Sequence, residues 1–143
     1  MWIKTMCRYH PQELTGHSPM CEETIERSLK RNVRCDGDGR LFLFSVSDDL
    51  GTAPPLGRPL GGLVMKLGDG VHGHPLLGGL WVDAAHRRYG IGRQLVEACE
   101  RKALELGITR VFAVTHPSNE EARACFEACG YGEMILLDKK LDE

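Results

Sequence analysis

A basic loop with two glycines, followed by apolar residues at helical spacing, is the part of the sequence best suited to chemistry. The start of a helix has unpaired backbone N–H groups and a partial positive charge, and both attract anions such as phosphate. Gly90 and Gly92 lack a Cβ, so the backbone there can approach a ligand closely. Fixed positive charge comes from Arg87, Arg88 and Arg93. Since the whole chain carries a net charge of −2, this cluster predicts a local phosphate-binding site.

Two common phosphate-binding motifs do not fit this loop. A P-loop requires a lysine followed by serine or threonine after the second glycine, whereas this chain has Arg93-Gln94. A dinucleotide-binding fingerprint requires a third glycine or an alanine, and Leu95 occupies that position. The residues alone therefore predict phosphate binding at a helix start without naming the ligand.

The loop and a second segment resemble the GNAT superfamily of N-acetyltransferases. The family signature Arg/Gln-x-x-Gly-x-Gly/Ala is matched in full by Arg87, Arg88, Tyr89, Gly90, Ile91 and Gly92. A second family motif, an asparagine followed at fixed spacing by an alanine, an aromatic residue and a glycine-aromatic pair, is matched by Asn119, Ala122, Phe126, Gly130 and Tyr131. One predicted helix and one predicted strand separate the two motifs, as in the family. The resemblance covers about residues 62 to 141.

The resemblance implies acetyl-CoA as co-substrate and a position for each of its parts. The amide-bearing arm would pair with the backbone of the strand that ends in Leu80, Trp81 and Val82. The pyrophosphate would be held by the loop residues Arg87, Arg88, Tyr89, Gly90, Ile91, Gly92 and Arg93. The thioester end of the arm would lie near Asn119, Ala122 and Phe126.

Other interpretations of these side chains stay open at this point. The three strand side chains suit core packing, which does not compete with pairing through their backbone. Arg88 and Tyr89 also suit an exposed loop in which only the backbone N–H groups matter. Phe126 suits core packing as well as ligand contact.

The resemblance further implies direct attack of a primary amine on the thioester carbonyl, with a small molecule or a peptide as acceptor. The backbone N–H of Val82 would donate to the oxyanion. An aliphatic amine has a reference pKa of about 10.4 and is mostly protonated at neutral pH, so a base or water must take its proton. The leaving thiol has a pKa of about 8.5 and can depart without an acid.

Two positions depart from the family pattern. Phe126 stands where the family frequently has a tyrosine acid, and Gly79 stands where it frequently has a glutamate base. The remaining candidate bases are His116, His74, His72 and Asp83. We hypothesise that His116 is a base or a substrate contact, although it also suits a loop histidine bonded to water. The departures leave a second hypothesis open, namely a non-catalytic acyl-CoA-binding sensor or interaction module with the same fold.

Length and composition bound the class of protein. The chain has 143 residues, 42% of them apolar and 27% charged, which is typical of one globular domain over residues 1–143. The net charge of −2 argues against a nucleic-acid partner, and no apolar run is long enough to span a membrane. The start of the chain lacks the apolar segment of a signal peptide, so we expect a cytoplasmic protein.

The six cysteines predict no metal site. No two of them have the two-residue spacing of a zinc knuckle or a redox motif. We therefore expect free thiols that pack as small apolar side chains. Cys125 and Cys129 are four residues apart in a predicted helix and share one of its faces.

Alternating strands and helices must position these residues. The patterns predict strands over 3–9, 41–46, 62–67 and 76–82, with helices opening at 11–14 and over 21–30. Further on they predict a helix over 92–106, a strand over 110–115, a helix starting at 117–121 and a last strand over 134–137. Ser118 and Glu121 would form the capping box of the helix that starts at 117–121.

The predicted fold is α/β (α+β), a single GNAT-like domain. Its mixed central sheet would have an antiparallel N-terminal meander and parallel central strands, flanked by helices. Ile135, Leu136 and Leu137 are all apolar, so their pattern does not show which of them face solvent. A homodimer that covers them is compatible with this sequence.

Overall fold

The computed structural model describes residues 22–47, 59–68, 73–135 and 137–142. The helices are α1 (Glu22–Asn32), a 3-10 helix (Ala84–Tyr89), α2 (Ile91–Glu105) and α3 (Glu120–Ala128). The strands are β1 (Arg34–Cys35), β2 (Leu41–Ser47), β3 (Pro59–Lys66), β4 (Leu76–Val82) and β5 (Phe112–Ala113). Outside the described residues lie the elements predicted over 3–9 and 11–14, together with Cys7, Cys21, His72 and Leu136.

The described strands form one sheet in the order β1-β2-β3-β4-β5. β1 to β4 pair as antiparallel neighbours, and β5 runs parallel to β4. A parallel pair needs a long crossover, and α2 supplies it. The predicted mixed sheet, with an antiparallel meander followed by a parallel pair, is confirmed.

The core lies between the sheet and the helices α1 and α2, which pack against β2 and β3. Alternation along β2 explains the arrangement, because Phe42, Phe44 and Val46 are buried while Leu41 and Leu43 remain partly exposed. α2 adds a buried stripe that consists of Ile91, Leu95, Val96, Cys99 and Ala103. Burial of each large apolar side chain stabilises the fold by about 1.5–3 kcal/mol. The helix predicted over 92–106 is confirmed with slightly different bounds, since Leu106 follows the helix and is exposed.

The strand predicted over 110–115 is shorter in the structure, where β5 covers Phe112–Ala113. It pairs with β4 at Leu76 and Leu77 only. Beyond that point β4 bulges at Gly79, which ends the register that a longer β5 would need.

Two predictions for the last part of the chain are wrong in the described residues. The N-cap of α3 is Asn119 and not Ser118, whose hydroxyl lies 2.7 Å from the His116 ring instead. No strand includes Met134, Ile135 or Leu137. A strand needs a neighbour for its backbone groups, and no described strand pairs with this run. The three side chains are largely exposed.

Four cysteines within the described ranges carry free thiols, as predicted: Cys35, Cys99, Cys125 and Cys129. In these ranges no group of three or more His, Cys, Asp or Glu side chains is arranged to hold a metal ion. None of the described helices combines the length and the apolar character needed to cross a membrane.

Candidate functional site

A cleft of about 480 Å³ opens between the end of β4, the 3-10 helix and the starts of α2 and α3. This volume falls in the range of small-molecule sites, about 300–1,000 Å³. Its lining includes the predicted site residues Leu80, Trp81, Val82, Arg87, Gly90, Gly92, Arg93, Asn119 and Ala122. Glu121, Ala124 and Cys125 complete the wall. The structure thus brings Arg87, Gly90 and Gly92 of the first motif and Asn119 and Ala122 of the second to one place.

Other predicted site residues stand apart from this lining. Ile91 is fully buried in the core, and Phe126 is 4% exposed. Tyr89 is half-buried against the His86 ring, with 6.0 Å between the ring centroids. Only the backbone of Arg88 is described.

The cleft exists because β4 and β5 separate after a short parallel contact. The backbone N–H of Val114 donates to the carbonyl of Leu77, and the pairing of the two strands ends there. Between the pairs Gly78–Val64 and Trp81–Gly62, β4 has one residue more than β3. This bulge includes Gly79, whose φ of 70° lies in the left-handed region that favours glycine. The edge of β4 beyond the bulge is therefore open toward the cleft.

The bulge also decides which backbone groups face the opening. The N–H of Asp83 donates to the carbonyl of Leu60 in β3. Beyond the bulge, backbone polar groups of successive strand residues point to opposite edges, so Trp81 also faces β3, whereas Val82 faces away from it. The carbonyl of Val82 accepts from the Arg87 side chain at 3.1 Å, in agreement with this direction. The N–H of Val82 consequently lies on the open edge, and Leu80 belongs to the bulge, where this alternation is interrupted.

The second wall of the cleft is the start of α2. Its N-cap, Gly90, has φ 78° and ψ 20°, and no side chain caps the helix there. No side-chain oxygen occupies this helix start, and the helix dipole favours negative charge at the same place. This arrangement agrees with the predicted role of the loop.

Gly92 is needed for close packing, a role that its position in the sequence did not indicate. A Cβ at this residue would lie 2.9 Å from the Cys125 sulfur and 3.6 Å from Cγ2 of Val82. The glycine thus allows α2 to approach α3 and β4 closely. The two glycines of the motif serve different purposes, because Gly90 supplies a left-handed turn and Gly92 supplies space.

The two cleft arginines are each held by a carboxylate. Arg87 forms an ion pair with Glu121, and its Nε donates to the carbonyl of Val82. Arg93 donates from one nitrogen to both oxygens of Glu97, at 3.1 and 3.2 Å. Both guanidinium groups are roughly half exposed, which leaves part of their donor surface accessible from the cleft.

The segment before Gly90, predicted as a loop, contains a 3-10 helix, and a partly buried polar pair holds it. The Asp83 carboxylate accepts from the backbone N–H of Ala85 at 3.3 Å and lies 2.8 Å from Nδ1 of His86. His86 is only 5% exposed. Asp83, a candidate base, is thus engaged in loop structure. The spacing of Asp83 and His86, three residues apart, was the sequence signal for this turn.

Asn119 is positioned by its own helix. Its side-chain oxygen accepts from the backbone N–H of Ala122 at 3.1 Å, as an N-cap does. The amide NH₂ group is then the part of this side chain that can donate toward a ligand. Asn119 and Ala122 are therefore linked by the helix cap, and both also line the cleft.

His116 lies at an exposed turn after β5 and does not line the cleft. Its Nδ1 accepts the backbone N–H of Ser118 at 3.1 Å. Nδ1 is thus engaged within the turn, which leaves Nε2 as the ring nitrogen available for another contact. Thr115 and Pro117, on either side of it, line a second hollow of about 910 Å³ between β5, α3 and residues 131–135. His74, another candidate, is half-buried, and its ring lies 5.7 Å from that of Phe112.

Phe126 and Tyr131 form a packed pair behind the cleft. Their rings meet edge to face at 5.2 Å between centroids. The Tyr131 hydroxyl donates to Glu100 at 2.9 Å. Burial and this carboxylate raise the pKa of Tyr131, so its proton is not readily given up. Core packing, one of the two interpretations of Phe126, accounts for its position.

Cys125 and Cys129 share the predicted helix face. Burial raises the pKa of Cys125, and burial together with the neighbouring Cys125 and Glu100 raises the pKa of Cys129 to about 11. Both thiols are therefore protonated at neutral pH and are poor nucleophiles. Cys125 contributes to the wall of the cleft by packing.

No curated protein sequence matches this chain significantly. The profile of the acetyltransferase (GNAT) family matches residues 5–131. A ribosomal-protein-alanine N-acetyltransferase from Brucella melitensis biovar Abortus 2308 has a similar structure, with a TM-score of 0.57 and 18% identity over 73% of this chain and 70% of that one. AAC(6')-Iy, in complex with the bisubstrate analog CoA-S-monomethyl-acetylneamine, has a TM-score of 0.55 and 21% identity over 85% and 94% of the two chains.

A transcriptional regulator from Bacillus halodurans C-125 is also similar, with a TM-score of 0.59 and 18% identity over 95% of this chain and 88% of that one. At such identities the structural likeness shows the fold alone. The family profile, in contrast, covers most of the sequence and includes both motifs that line the cleft. The chain belongs to the GNAT acetyltransferase family.

Proposed function

We propose that this protein is an N-acetyltransferase that transfers the acetyl group of acetyl-CoA to a primary amine of a small molecule or peptide. The observation that carries the proposal is the open edge of β4, which leads to the uncapped start of α2 along one cleft. A ligand with amide groups in its arm and a diphosphate at one end has the matching chemistry. Acetyl-CoA is such a ligand, and one structural neighbour was solved with a CoA bisubstrate analog.

The residues of the cleft divide the work of binding. Backbone groups of Leu80 and Val82 would pair with the amides of the arm. The first turn of α2 would receive the diphosphate through its N–H groups, with Arg87 and Arg93 beside it. The NH₂ group of Asn119 would donate to the arm from the opposite wall. A backbone N–H needs no reorganisation, so that of Val82 is suited to stabilise the oxyanion.

Proton transfer in this cleft would rely on water. Among the described residues that line it, Glu121 is the one carboxylate, and it is paired with Arg87. Phe126 has no proton to give, and the departing thiol, with a pKa of about 8.5, leaves as a thiolate. The attacking amine would lose its proton to solvent before or during attack. Only the unprotonated amine reacts, so the rate should rise with pH toward the pKa of the amine.

An assay of thiol release tests the proposal. The protein is mixed with acetyl-CoA and a panel that contains an aminoglycoside, a diamine and a peptide with an N-terminal alanine, and free CoA thiol is followed. We expect release that depends on at least one amine and on protein concentration. Binding of CoA without release by any amine would favour the sensor hypothesis. Absence of CoA binding would overturn both.

His116 is proposed as an acceptor contact, because it lies exposed between Thr115 and Pro117, which line the second hollow, and only its Nδ1 is engaged by Ser118. Loss of one hydrogen bond of about 1 kcal/mol should raise the KM for the amine about fivefold in His116→Ala, with kcat little changed. The matched control is His74→Ala, which removes a histidine that packs on Phe112. Steady-state kinetics with the best amine of the panel measure both. Full activity of His116→Ala across pH would refute the role.

A further inference from the structure

An ion pair crosses the mouth of the cleft. Arg87 lies on the 3-10 helix after β4, and Glu121 lies in the first turn of α3. One guanidinium nitrogen of Arg87 contacts the Glu121 carboxylate, while Nε donates to the carbonyl of Val82 at 3.1 Å. Arg87 and Glu121 both line the cleft, and their side chains are 46% and 62% exposed. The pair therefore joins the 3-10 helix and α3 across the cleft.

This pairing bears directly on ligand binding. The proposed function places the diphosphate of CoA beside Arg87, and a phosphate and a carboxylate seek the same guanidinium hydrogens. The Nε of Arg87 already donates to Val82, and another of its nitrogens contacts Glu121. A phosphate that binds Arg87 must therefore displace the Glu121 carboxylate or bind close beside it. Displacement breaks an ion pair, and coexistence places two negative charges together. Each route lowers the affinity for the phosphorylated ligand.

We propose that Glu121 is a specificity-determining residue of the cleft, whose carboxylate competes with the ligand's phosphates for Arg87. The inference rests on the proposed function. It assigns Glu121 a role that neither motif contains, because the family pattern specifies Asn119 and Ala122 but not the two residues between them. A phosphorylated ligand then binds in this cleft only when the interactions of its phosphates with Arg87 and the start of α2 are stronger than the interaction of Glu121 with Arg87.

Glu120 provides a matched control. It precedes Glu121 in the same first turn of α3 and carries the same charge. The helix dipole stabilises both carboxylates at this end of the helix. Glu121 lines the cleft and contacts Arg87, whereas Glu120 is not part of the cleft lining. Changing either residue to glutamine removes one charge from the same helix end. Only Glu121→Gln should release Arg87.

The test is a calorimetric titration of CoA into the full chain and four variants: Glu121→Gln, Glu120→Gln, Arg87→Gln, and the double variant with both Arg87→Gln and Glu121→Gln. A half-exposed ion pair predicts that Glu121→Gln binds CoA about two- to fivefold more tightly. Glu120→Gln should bind like the unaltered chain. In the Arg87→Gln background, removal of Glu121 should bring no gain. Pantetheine, which has the arm but no phosphate, should bind the unaltered chain and Glu121→Gln equally.

Several results would overturn the inference. Unchanged or weaker CoA binding by Glu121→Gln would show that the carboxylate does not compete. An equal gain with Glu120→Gln, or in the absence of Arg87, would show a general charge effect without competition for Arg87. Either result leaves the proposed function standing, because the unaltered chain still binds CoA. Absence of CoA binding by both the unaltered chain and Glu121→Gln would overturn the proposed function and this inference together.

Discussion

Replacing Gly90 by glutamate is expected to weaken CoA binding by about 100-fold or more. Gly90 has a φ of 78°, and a side chain in this left-handed conformation costs about 1–2 kcal/mol. The new carboxylate would also lie at the start of α2, where the diphosphate should bind, and would repel it. The strain lowers the stability of the folded chain, and the charge weakens the binding of CoA. Calorimetric titration of CoA into the variant measures the loss.

The control variant Gly107→Glu shows how much of the lost CoA affinity comes from the position of the new charge at the start of α2, and how much from backbone strain or added charge anywhere in the chain. Gly107 follows the end of α2, has a φ of 80°, and has open space where a Cβ would stand. It therefore carries a similar backbone penalty and the same added charge at the other end of the helix. Gly107→Glu should lose stability like Gly90→Glu but bind CoA normally. Equal affinities of Gly90→Glu and the unaltered chain would refute the assignment of the diphosphate to this helix start.

The second large effect is expected for Val82→Pro, which removes one backbone N–H and keeps the carbonyl that Arg87 binds. The N–H of Val82 faces the open edge of β4, so proline breaks no bond of the β3–β4 ladder, and such a position tolerates it. Removal of an oxyanion donor costs about 100- to 1,000-fold in kcat. CoA affinity should fall much less. Thiol-release kinetics with the best amine give kcat.

Trp81→Pro is the contrasting variant one residue earlier. The N–H of Trp81 faces β3, where Gly62 is its register partner, so proline there removes a ladder bond. We expect Trp81→Pro to lower the thermal midpoint strongly, and Val82→Pro to remain folded by circular dichroism. A folded Val82→Pro variant with kcat near that of the unaltered chain would show that this N–H is not the oxyanion donor.

The helix α2 and the parallel pair of β4 and β5 were predictable because their signals are local. The stripe of Leu95, Val96, Cys99 and Ala103 has helical spacing, and Gly107 follows the helix end. The strand predicted over 76–82 has the observed bounds. The parallel pair followed from the order of strand, helix and strand. These features depend on residues that are neighbours in sequence or share one face of an element.

The bulge and the open strand edge were not predictable from local patterns. The sequence marks Gly79 only as a departure from the family pattern, which frequently has a glutamate there. In the structure, its φ of 70° and the extra residue of β4 open the cleft. This geometry depends on how β4 pairs with β3 on one side and β5 on the other. No periodicity in the sequence reports such a register change.

The ion pairs of the site were not predicted either. The sequence predicts a positive cluster in the loop, but Arg87 forms an ion pair with Glu121 and Arg93 forms one with Glu97. The Arg93–Glu97 pair has helical spacing and was available from the sequence. The Arg87–Glu121 pair joins segments 34 residues apart, so only the fold reveals it.

Amide hydrogen exchange by NMR tests whether CoA binds along the open edge of β4. Exchange is measured on the ¹⁵N-labelled protein with and without saturating CoA. The N–H of Val82 should gain protection when CoA binds. The N–H of Trp81, already directed to β3, should change little. CoA binding that leaves the exchange of Val82 unaltered would contradict binding along this edge.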